Sequence, residues 1–384
     1  MFSTEQINKF KKLRTPFYFY DINLLKKTIS ELKKEADQRD YHVHYAVKAN
    51  ANDRILKIIN DNGLGADCVS GNEVVKSIEV GFKGNRIAFA GVGKSDEEIK
   101  TGIQNNIFSF NVESLQEIEV INSIAGSMNK TASIALRINP NINPKTHHYI
   151  TTGLEENKFG LNFNDLKQIA QKMSSYKNLK LIGIHFHIGS QVTDLEVYKS
   201  LCLRINEIQK WFADHNIEIK HLNAGGGLGI DYKNPDDNLI SDFKSFFNVF
   251  EQFLELKPGQ ILHFEIGRAI VAQCGSLISR VLFIKKGINT NFAILDAGMT
   301  ELLRPALYQA YHKIENITSN GKEKRYDVVG PICESSDTFA KSYLLPETKR
   351  GDLIALRSTG AYGEVMASHY NLRPTIESYF SDQI

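Results

Sequence analysis

Lys48 ends a short apolar run, Tyr45-Ala46-Val47, near the start of the chain. An ammonium group is costly to bury, so a lysine that closes an apolar strand is unusual. Burial lowers the pKa of a lysine amine and makes the amine a nucleophile that forms Schiff bases with carbonyl groups. A lysine whose ammonium simply reaches water from the rim of the strand would have the same sequence. Position alone leaves both interpretations open.

A second candidate is a pair of histidines, His185 and His187, at the end of a predicted strand over Leu181–His187. Because side chains two apart on a strand point to the same face, both rings are expected on one side. We interpret His185 as a hydrogen-bonded core residue. His187, followed closely by Gly189, could lie flat against an aromatic cofactor. Metal binding would need further ligands, which the sequence does not place.

Glycines and a carboxylate follow the next two predicted strands. The triplet Gly225-Gly226-Gly227 exposes backbone N–H groups to which an anion can come close. Phosphate sites in barrels are often built after strands seven and eight, so phosphate binding is favoured over a flexible turn. Glu265 lies in an apolar strand and needs a positive partner. A protonated pyridine nitrogen or an internal ion pair, for example with Arg268, would serve.

The last third of the chain adds three weaker patches, for each of which a surface loop is the default interpretation. Arg304 and Tyr308 lie close together and offer a guanidinium for a carboxylate. Cys333 and Glu334 place a thiol beside a carboxylate in a predicted turn. Tyr362 stands between small residues.

These residues need elements to position them, and the dominant pattern is strand–helix alternation, which predicts parallel βαβ units. The eight predicted strands are His42–Val47, Leu64–Val69, Arg86–Ala90, Ile107–Asn111, Ile134–Asn139, Leu181–His187, Ile219–Ala224 and Ile261–Ile266. Eight such units predict an α/β fold with a closed (β/α)8 barrel of the TIM type over residues 23–272. An open doubly wound sheet is the competitor that alternation alone does not exclude.

After about residue 272 the predicted strands are separated by turns, which indicates a second, mainly antiparallel β domain. The early run Phe17–Tyr20 is expected to join it. The predicted domains are therefore 23–272, and 1–22 together with 273–384.

Composition excludes several classes of protein. The 384 residues carry 46 Lys plus Arg against 44 Asp plus Glu, which gives no indication of a nucleic-acid partner. The four cysteines form no CxxC pair, so no metal site is predicted, and free thiols in a reducing cytoplasm are expected. No apolar run is long enough for a bilayer, and residues 1–14 show no signal region, so a membrane partner is not expected.

Taken in order, the motifs resemble the group IV pyridoxal-phosphate decarboxylases of the alanine-racemase-like fold, and among these the members that act on diaminopimelate. The resemblance runs from Thr15 to about Asn371. Its most specific pieces are 45–50, 147–153, 158–160, 187–191, the triplet at 225–227 and 333–335.

The resemblance implies pyridoxal 5'-phosphate as cofactor and a role for each matching residue. Lys48 would hold the cofactor as a Schiff base, His187 would stack on its ring, and Glu265 would pair with its ring nitrogen. The phosphate would lie against Ser190, Gly226, Gly227 and the backbone from Glu265 through Gly267 to Arg268, with Asp67 and Tyr362 also contacting the cofactor. Arg268, Arg304, Tyr308 and Tyr362 would contact the amino-acid substrate, the first three at its distal carboxylate.

The resemblance also implies a homodimer whose partner subunit supplies Cys333 as proton donor and Glu334 to recognise a distal ammonium. The implied reaction converts meso-2,6-diaminopimelate to L-lysine and CO2, the last step of lysine biosynthesis. Two arginines awaiting one carboxylate favour diaminopimelate over ornithine, which has no distal carboxylate. The chain departs from the family at Ile266, where proline is usual, and the phosphate-binding backbone could shift there.

Other functions share parts of the pattern. Carboxynorspermidine, ornithine and arginine decarboxylases are relatives, and an amino-acid racemase has the same fold but typically uses a tyrosine as second base. A pyridoxal-phosphate-binding regulatory protein has the barrel without a catalytic β domain. A sugar-phosphate barrel enzyme would lack the cofactor and be colourless.

Overall fold

The computed structural model describes residues 2–142 and 158–384. The motif at 147–153 therefore lies outside the described residues. The chain forms two compact units: a barrel unit of Ile29–Gly229 and Asp242–Gly267, and a β unit of Met1–Thr28, Ile230–Ser241 and Arg268–Ile384. The predicted domain boundaries stay a prediction, and the structure adds that the segment Ile230–Ser241 groups with the β unit.

The barrel unit is built on a closed sheet of eight parallel strands in sequential order. With β1 reserved for Phe17–Tyr20, these strands are β2 (His42–Ala46), β3 (Gly65–Cys68), β4 (Ile87–Phe89), β5 (Ser109–Val112), β6 (Ala132–Arg137), β7 (Leu179–His185), β8 (His221–Asn223) and β9 (Ile261–Ile266). The register between β2 and β9, with His44 opposite Glu265, closes the ring. The predicted barrel is confirmed, and the open doubly wound sheet is excluded.

Helices alternate with the strands, with buried apolar residues along one face, and several begin at a side chain that caps the amino end. In the helix over Asp53–Asp61, for example, Ile55, Leu56 and Ile59 are buried and Asn52 caps the amino end. With α1 reserved for Thr4–Phe10, the helices up to the end of the barrel sequence are α2 (Ile22–Asp37), α3 (Asp53–Asp61), α4 (Gly71–Val80), α5 (Asp96–Gln104), α6 (Leu115–Ser127), α7 (Phe163–Lys172), α8 (Glu196–Asp214), α9 (Phe243–Phe253) and α10 (Arg268–Val271).

One strand boundary bears on the site. The predicted strand Leu181–His187 begins earlier and ends earlier, since β7 ends at His185. Beyond it the chain turns through Gly189, whose φ is +146°, and packs against the glycine triplet, with the Val192 N–H donating to the Gly227 carbonyl at 2.8 Å. His187 therefore lies on a loop, and the expectation that both histidines share one strand was wrong.

The β unit contains an eight-stranded mixed sheet. Its strands are β1, β10 (Gly275–Lys286), β11 (Asn291–Leu295), β12 (Ile314–Asn316), β13 (Glu323–Val329), β14 (Thr338–Pro346), β15 (Leu353–Leu356) and β16 (Glu377–Phe380). The strand order is β12-β15-β10-β11-β13-β14, and β1 pairs antiparallel with β10 and parallel with β16. The expectation that Phe17–Tyr20 joins this sheet is confirmed.

Aromatic residues from the amino-terminal segment form much of the core of the β unit. Phe10 on α1, with Phe17 and Phe19 on β1, packs with Ile278 and Leu353. The strands β12, β14 and β16 were not predicted, because Lys341 and Ser342 interrupt the apolar residues of β14 and the other two strands are short. A short helix, α11 (Arg304–Tyr308), completes the unit. Within the described ranges, no helix has the length and apolar character needed to cross a bilayer.

Candidate active site

Lys48 lies in a single helical turn, Val47–Ala49, directly after β2. Its Nζ is 2.9 Å from Oδ2 of Asp67 on β3, a carboxylate that is fully buried, whereas the lysine side chain is 34% exposed. Burial raises the pKa of Asp67, repulsion from Glu265 adds to this, and the charge of Lys48 opposes it. The other carboxylate oxygen, Oδ1, has no hydrogen-bond partner among the described residues. The lysine amine is thus held against a buried acid with unused hydrogen-bonding capacity.

Glu265, near the end of β9, is a second buried carboxylate, and three donors from other strands surround it. Its Oε1 accepts from the amides of Asn223 (2.7 Å) and Asn111 (3.1 Å), and its Oε2 is 2.9 Å from Nε2 of His185. Burial alone would raise the pKa of Glu265, but the charge and hydrogen bond of His185, together with the charge of Lys48, lower it. Glu265 therefore stays ionised, and its internal partner is His185.

Sequence reasoning missed the asparagines and gave His185 only a core role. His185 is buried as expected, and its Nδ1 has no hydrogen-bond partner among the described residues. The available signal was a polar residue inside each of three apolar strands, at Asn111, His185 and Asn223. Which carboxylate they contact depends on barrel closure.

His187 lies two residues beyond β7 and is half-buried. Its Nδ1 accepts the Gly226 N–H at 3.4 Å. Burial lowers the pKa of His187 well below its ordinary value, and the charges of Lys48 and Arg137 lower it further. The imidazole is therefore neutral at physiological pH. A neutral ring can pack on an aromatic group without the cost of desolvating a charge, and the predicted stacking role stays a prediction.

The glycine triplet is required by close backbone packing. Gly225 and Gly227 have φ of +71° and +101°. A Cβ on Gly226 would lie 1.7 Å from the carbonyl oxygen of Glu265, and one on Gly227 would lie 2.5 Å from that of Gly189. The loops after β7 and β8 and the end of β9 therefore form one tight cradle of backbone.

Ser190 and Gly267 border this cradle in sequence. Ser190 is half-buried and follows Gly189, and Gly267 follows β9. A Cβ on Gly267 would lie 2.9 Å from the Cβ of Ala49, next to Lys48, so glycine is required there as well. Their contact with a phosphate remains a prediction. The groups present (an amine, an ionised carboxylate, a neutral imidazole and a glycine backbone) fit a phosphorylated pyridine aldehyde.

The predicted motif at 158–160 is held by a buried ion pair at the same end of the barrel. Arg137, the last residue of β6, lies 2.8 Å from Oε1 of Glu113, and its guanidinium stacks on Phe159 at 4.7 Å. The carboxylate of Glu113 also accepts the N–H groups of Gly91 and Gly160. One carboxylate therefore ties together the segments after β4, β5 and β6.

In the β unit, the predicted substrate arginines lie around one tyrosine. Arg268 donates from Nη1 to Oη of Tyr232 at 2.5 Å, and the guanidinium of Arg304 lies over the Tyr232 ring at 4.8 Å. Both arginines are only 6% exposed. Arg268 also lies over the ring of Tyr362 at 4.8 Å. Burial lowers the pKa of Arg304, and the nearby Tyr308 on α11 opposes this shift.

Arg304 has no acidic partner within 4 Å in the part of the chain that the structure describes; its Nη1 donates to Nε2 of His312 at 2.7 Å. A buried guanidinium with only neutral partners attracts an anion. The structure thus brings Arg268, Arg304 and Tyr362 together, as predicted, and adds Tyr232 and His312. Neither addition had a sequence signal, since each is a lone residue outside any motif.

Cys333 and Glu334 lie on an exposed turn of the β unit. Asp337 closes this turn by accepting the Ile332 N–H at 2.7 Å. The Cys333 N–H donates to Asn371, and Tyr370 donates its hydroxyl proton to Glu334 at 2.7 Å. Tyr370 was not predicted as a site residue. The turn presents its thiol and carboxylate outward.

Comparison with known proteins shows which family has this arrangement of residues. Residues 23–272 match the family model described as pyridoxal-dependent decarboxylase, pyridoxal binding domain. The chain is 55% identical to the diaminopimelate decarboxylase of Bacteroides thetaiotaomicron over 379 residues, which cover 98% of each protein.

Solved structures agree with the sequence comparison. A diaminopimelate decarboxylase from Helicobacter pylori, complexed with L-lysine, superposes with a TM-score of 0.93 at 40% identity, covering 99% of this chain and 94% of the other. A diaminopimelate decarboxylase from M. jannaschii in co-complex with L-lysine gives a TM-score of 0.90 at 34% identity, covering 98% and 90%.

Proposed function

The chain belongs to the pyridoxal-dependent decarboxylases and, among them, to the diaminopimelate decarboxylase family, and from this premise we propose that it converts meso-2,6-diaminopimelate to L-lysine and CO2. The cofactor is pyridoxal phosphate, as predicted. One observation supports the choice of substrate above the others: Arg304 is buried with neutral partners, and a substrate with a second carboxylate would supply its counter-charge.

The residues of the barrel unit suit the cofactor. Lys48 would carry it through the aldehyde, Glu265 would hold a proton on the ring nitrogen, and His187 would cover a ring face. Ser190, Gly226, Gly227, Gly267 and the Arg268 backbone would hold the phosphate, with Asp67 and Tyr362 as further contacts. When bound, the cofactor supplies an electron sink for the bond that breaks.

The two barrel carboxylates, Asp67 and Glu265, would have different roles, because their pKa values are shifted in opposite directions. Glu265 stays ionised through His185 and so favours a positive charge beside it. Asp67 has a raised pKa and contacts the amine of Lys48, so it can share a proton at Nζ. Divergent pKa values of this kind commonly separate acid and base roles.

Arg268, Arg304 and Tyr308 would hold the distal carboxylate of the substrate and so orient the bond to be broken. Ornithine and arginine lack a distal carboxylate and would leave the guanidinium of Arg304 without a counter-charge. The free-energy cost of leaving a buried guanidinium without a counter-charge favours diaminopimelate as the substrate.

Cys333 and Glu334 would act across a homodimer interface, in the active site of the partner subunit. Their exposed turn is compatible with such a role. The Cys333 thiol, or the Lys48 amine, would return a proton to the product, and Glu334 would bind the distal ammonium group. We place the enzyme in the cytoplasm, where Cys68, Cys202 and Cys274 would remain the free thiols observed here.

Incubation of the protein with pyridoxal phosphate and meso-diaminopimelate tests the activity. Equal amounts of L-lysine and CO2 are expected, with far slower release of CO2 from ornithine and arginine run in parallel. Borohydride reduction followed by peptide mass spectrometry should place a pyridoxyl group on the Lys48 peptide. Absence of lysine, or a label on another lysine, would refute the assignment.

A further inference from the structure

Two residues behind the arginines have no role in the chemistry above. Resting on the proposed function, we propose that Tyr232 and His312 are positioning residues that orient Arg268 and Arg304 for the distal carboxylate of the substrate. Both residues are neutral, so the positive charge of Arg304 remains available to the substrate.

The hydrogen bonds of His312 fix its tautomer. Arg304 can only donate, so Nε2 of His312, at 2.7 Å, must be an acceptor. The other ring nitrogen, Nδ1, lies 2.9 Å from the backbone carbonyl oxygen of Arg357 and must donate. His312 is 3% exposed, so both bonds are shielded from water. A protonated ring would turn an N–H toward the guanidinium.

The environment keeps this imidazole neutral. Burial and the neighbouring charge of Arg304 together lower the pKa of His312 to about 3. His312 therefore acts as a fixed acceptor across the physiological pH range. It orients the Arg304 guanidinium without cancelling its charge.

Tyr232 serves both arginines at once. Its hydroxyl oxygen accepts from Arg268, and its ring face carries Arg304, a contact stabilised by attraction between the cation and the π electrons. The ring also packs edge-on against His312, with centroids 5.1 Å apart. The two guanidinium groups, which repel each other, are thereby held on the same aromatic side chain.

The segment that carries Tyr232 is anchored by ion pairs. Asp236 lies 2.9 Å from Nζ of Lys313 and 3.0 Å from Nη2 of Arg357. Arg357 also pairs with Glu315 at 2.8 Å, and its carbonyl accepts from His312. Tyr232 and His312 are therefore attached to a common framework, which fixes the spacing of the two arginines.

The neutral character of these partners is what matters for specificity. An aspartate or glutamate at either position would pair with an arginine and remove its attraction for a substrate anion. Tyrosine and neutral histidine satisfy donors on the guanidinium groups, and the charge of Arg304 keeps no acidic counterpart among the described residues. A dicarboxylate substrate then gains an interaction that a substrate with one carboxylate does not.

A matched pair of variants separates the acceptor from the donor of His312. His312→Gln keeps an acceptor near Nε2, and His312→Asn keeps a donor near Nδ1. We expect His312→Asn to raise KM for diaminopimelate by roughly ten- to a hundredfold with little change in kcat, since a charged hydrogen bond is lost. His312→Gln should stay within about threefold of the unsubstituted enzyme. Equal KM values for the two variants would overturn the proposal.

Tyr232→Phe provides an independent variant if the His312 variants are insoluble. It keeps the ring under Arg304 and removes only the acceptor for Arg268, so KM should again rise by about tenfold with kcat retained. An unchanged KM, or a fall confined to kcat, would refute the role of Tyr232.

Binding of pimelate, a seven-carbon dicarboxylate, reports on the arginines without turnover. It should raise the melting temperature of the holoenzyme and of His312→Gln, and should have no effect on His312→Asn. If the unsubstituted enzyme does not decarboxylate diaminopimelate but this pimelate pattern holds, the proposed function fails and the positioning role survives. Stabilisation of all three proteins by pimelate would refute the positioning role alone.

Discussion

At the scale of single residues, the site depends on how each buried charge is compensated. Glu265 is surrounded by His185, Asn111 and Asn223 and remains ionised. The guanidinium of Arg304, equally buried, donates to His312 and lies over the ring of Tyr232, both of which are neutral. Protein groups already surround the charge of Glu265, whereas the charge of Arg304 has no acidic counterpart among the described residues and attracts an anionic ligand.

Arg304→Ala tests this directly. We expect loss of about 2–5 kcal/mol of transition-state stabilisation, because one partner of a buried charge pair is removed. The ratio of kcat/KM for the unsubstituted enzyme and the variant measures this loss. Arg325→Ala, at an exposed arginine of the same unit, is the control and should change little. Unchanged kinetics in Arg304→Ala would contradict the assigned role.

At the scale of elements, the two ends of the barrel strands differ in chemistry. The carboxyl ends carry Lys48, Asp67 and Glu265, whereas the amino ends carry a chain of histidines that was not predicted. Nε2 of His44 is 3.0 Å from Nδ1 of His263, whose Nε2 is 2.9 Å from Nδ1 of His221. These rings border a cavity of about 750 Å³ on that side.

The hydrogen-bond partners of these three histidines define their tautomers. Nδ1 of His44 lies 3.1 Å from the Arg86 carbonyl oxygen, which can only accept. His44 therefore donates from Nδ1 and accepts at Nε2 from His263, which accepts in turn from His221. Protonation of His44 or His263 would place two N–H groups against each other.

The row of three histidines predicts that the protein loses stability in acid. Burial lowers the pKa of His44 and His263, and burial with nearby positive charges lowers that of His221 to about 4. The folded state then binds fewer protons than the unfolded state below the ordinary histidine pKa of about 6.5. The stabilisation is thus present above that pH and is lost as the pH falls below it. Urea denaturation between pH 8 and pH 5 measures the effect.

His221→Asn should reduce the loss of unfolding free energy between pH 8 and pH 5 by at most about 2 kcal/mol. This limit allows for the partial exposure of the ring. The exposed His215 at the end of α8 offers a matched control, and His215→Asn should leave the slope unchanged. If both variants have the same slope as the unsubstituted protein, the histidine chain does not govern acid stability.

At the scale of the whole molecule, the proposed dimer makes a quantitative prediction. Lys48→Ala and Cys333→Ala should each be nearly inactive as homodimers, since each lacks one catalytic group in every site. Mixed and reassociated, they form heterodimers in which one site has both groups. A 1:1 mixture should recover about a quarter of the unsubstituted activity, because half of the dimers are mixed and one of their two sites is intact. No recovery, despite exchange shown by mass spectrometry, would contradict a shared active site.

Much of the fold followed from the sequence because its signals are local. Strand and helix periods are set by neighbouring residues, so the barrel strands were predicted to within a few residues, and four aromatic residues marked β1 as a buried strand. The edge strand β14 was missed because Lys341 and Ser342 interrupt its apolar residues and its pairing with β13 contains register shifts. The end of β7 was predicted two residues late because the glycine triplet, 38 residues further on, sets where His187 leaves the sheet.

The sequence by itself determined the barrel, the position of Lys48 at a strand end and the family to which the chain belongs. Only the tertiary structure decided which side chains meet: His185 with Glu265, Tyr232 with both arginines, and three histidines in a row across the amino ends of β2, β8 and β9. The physical reason is that periodicity needs only local sterics and burial. A hydrogen bond between strands depends on sheet closure and register, which many distant residues set together.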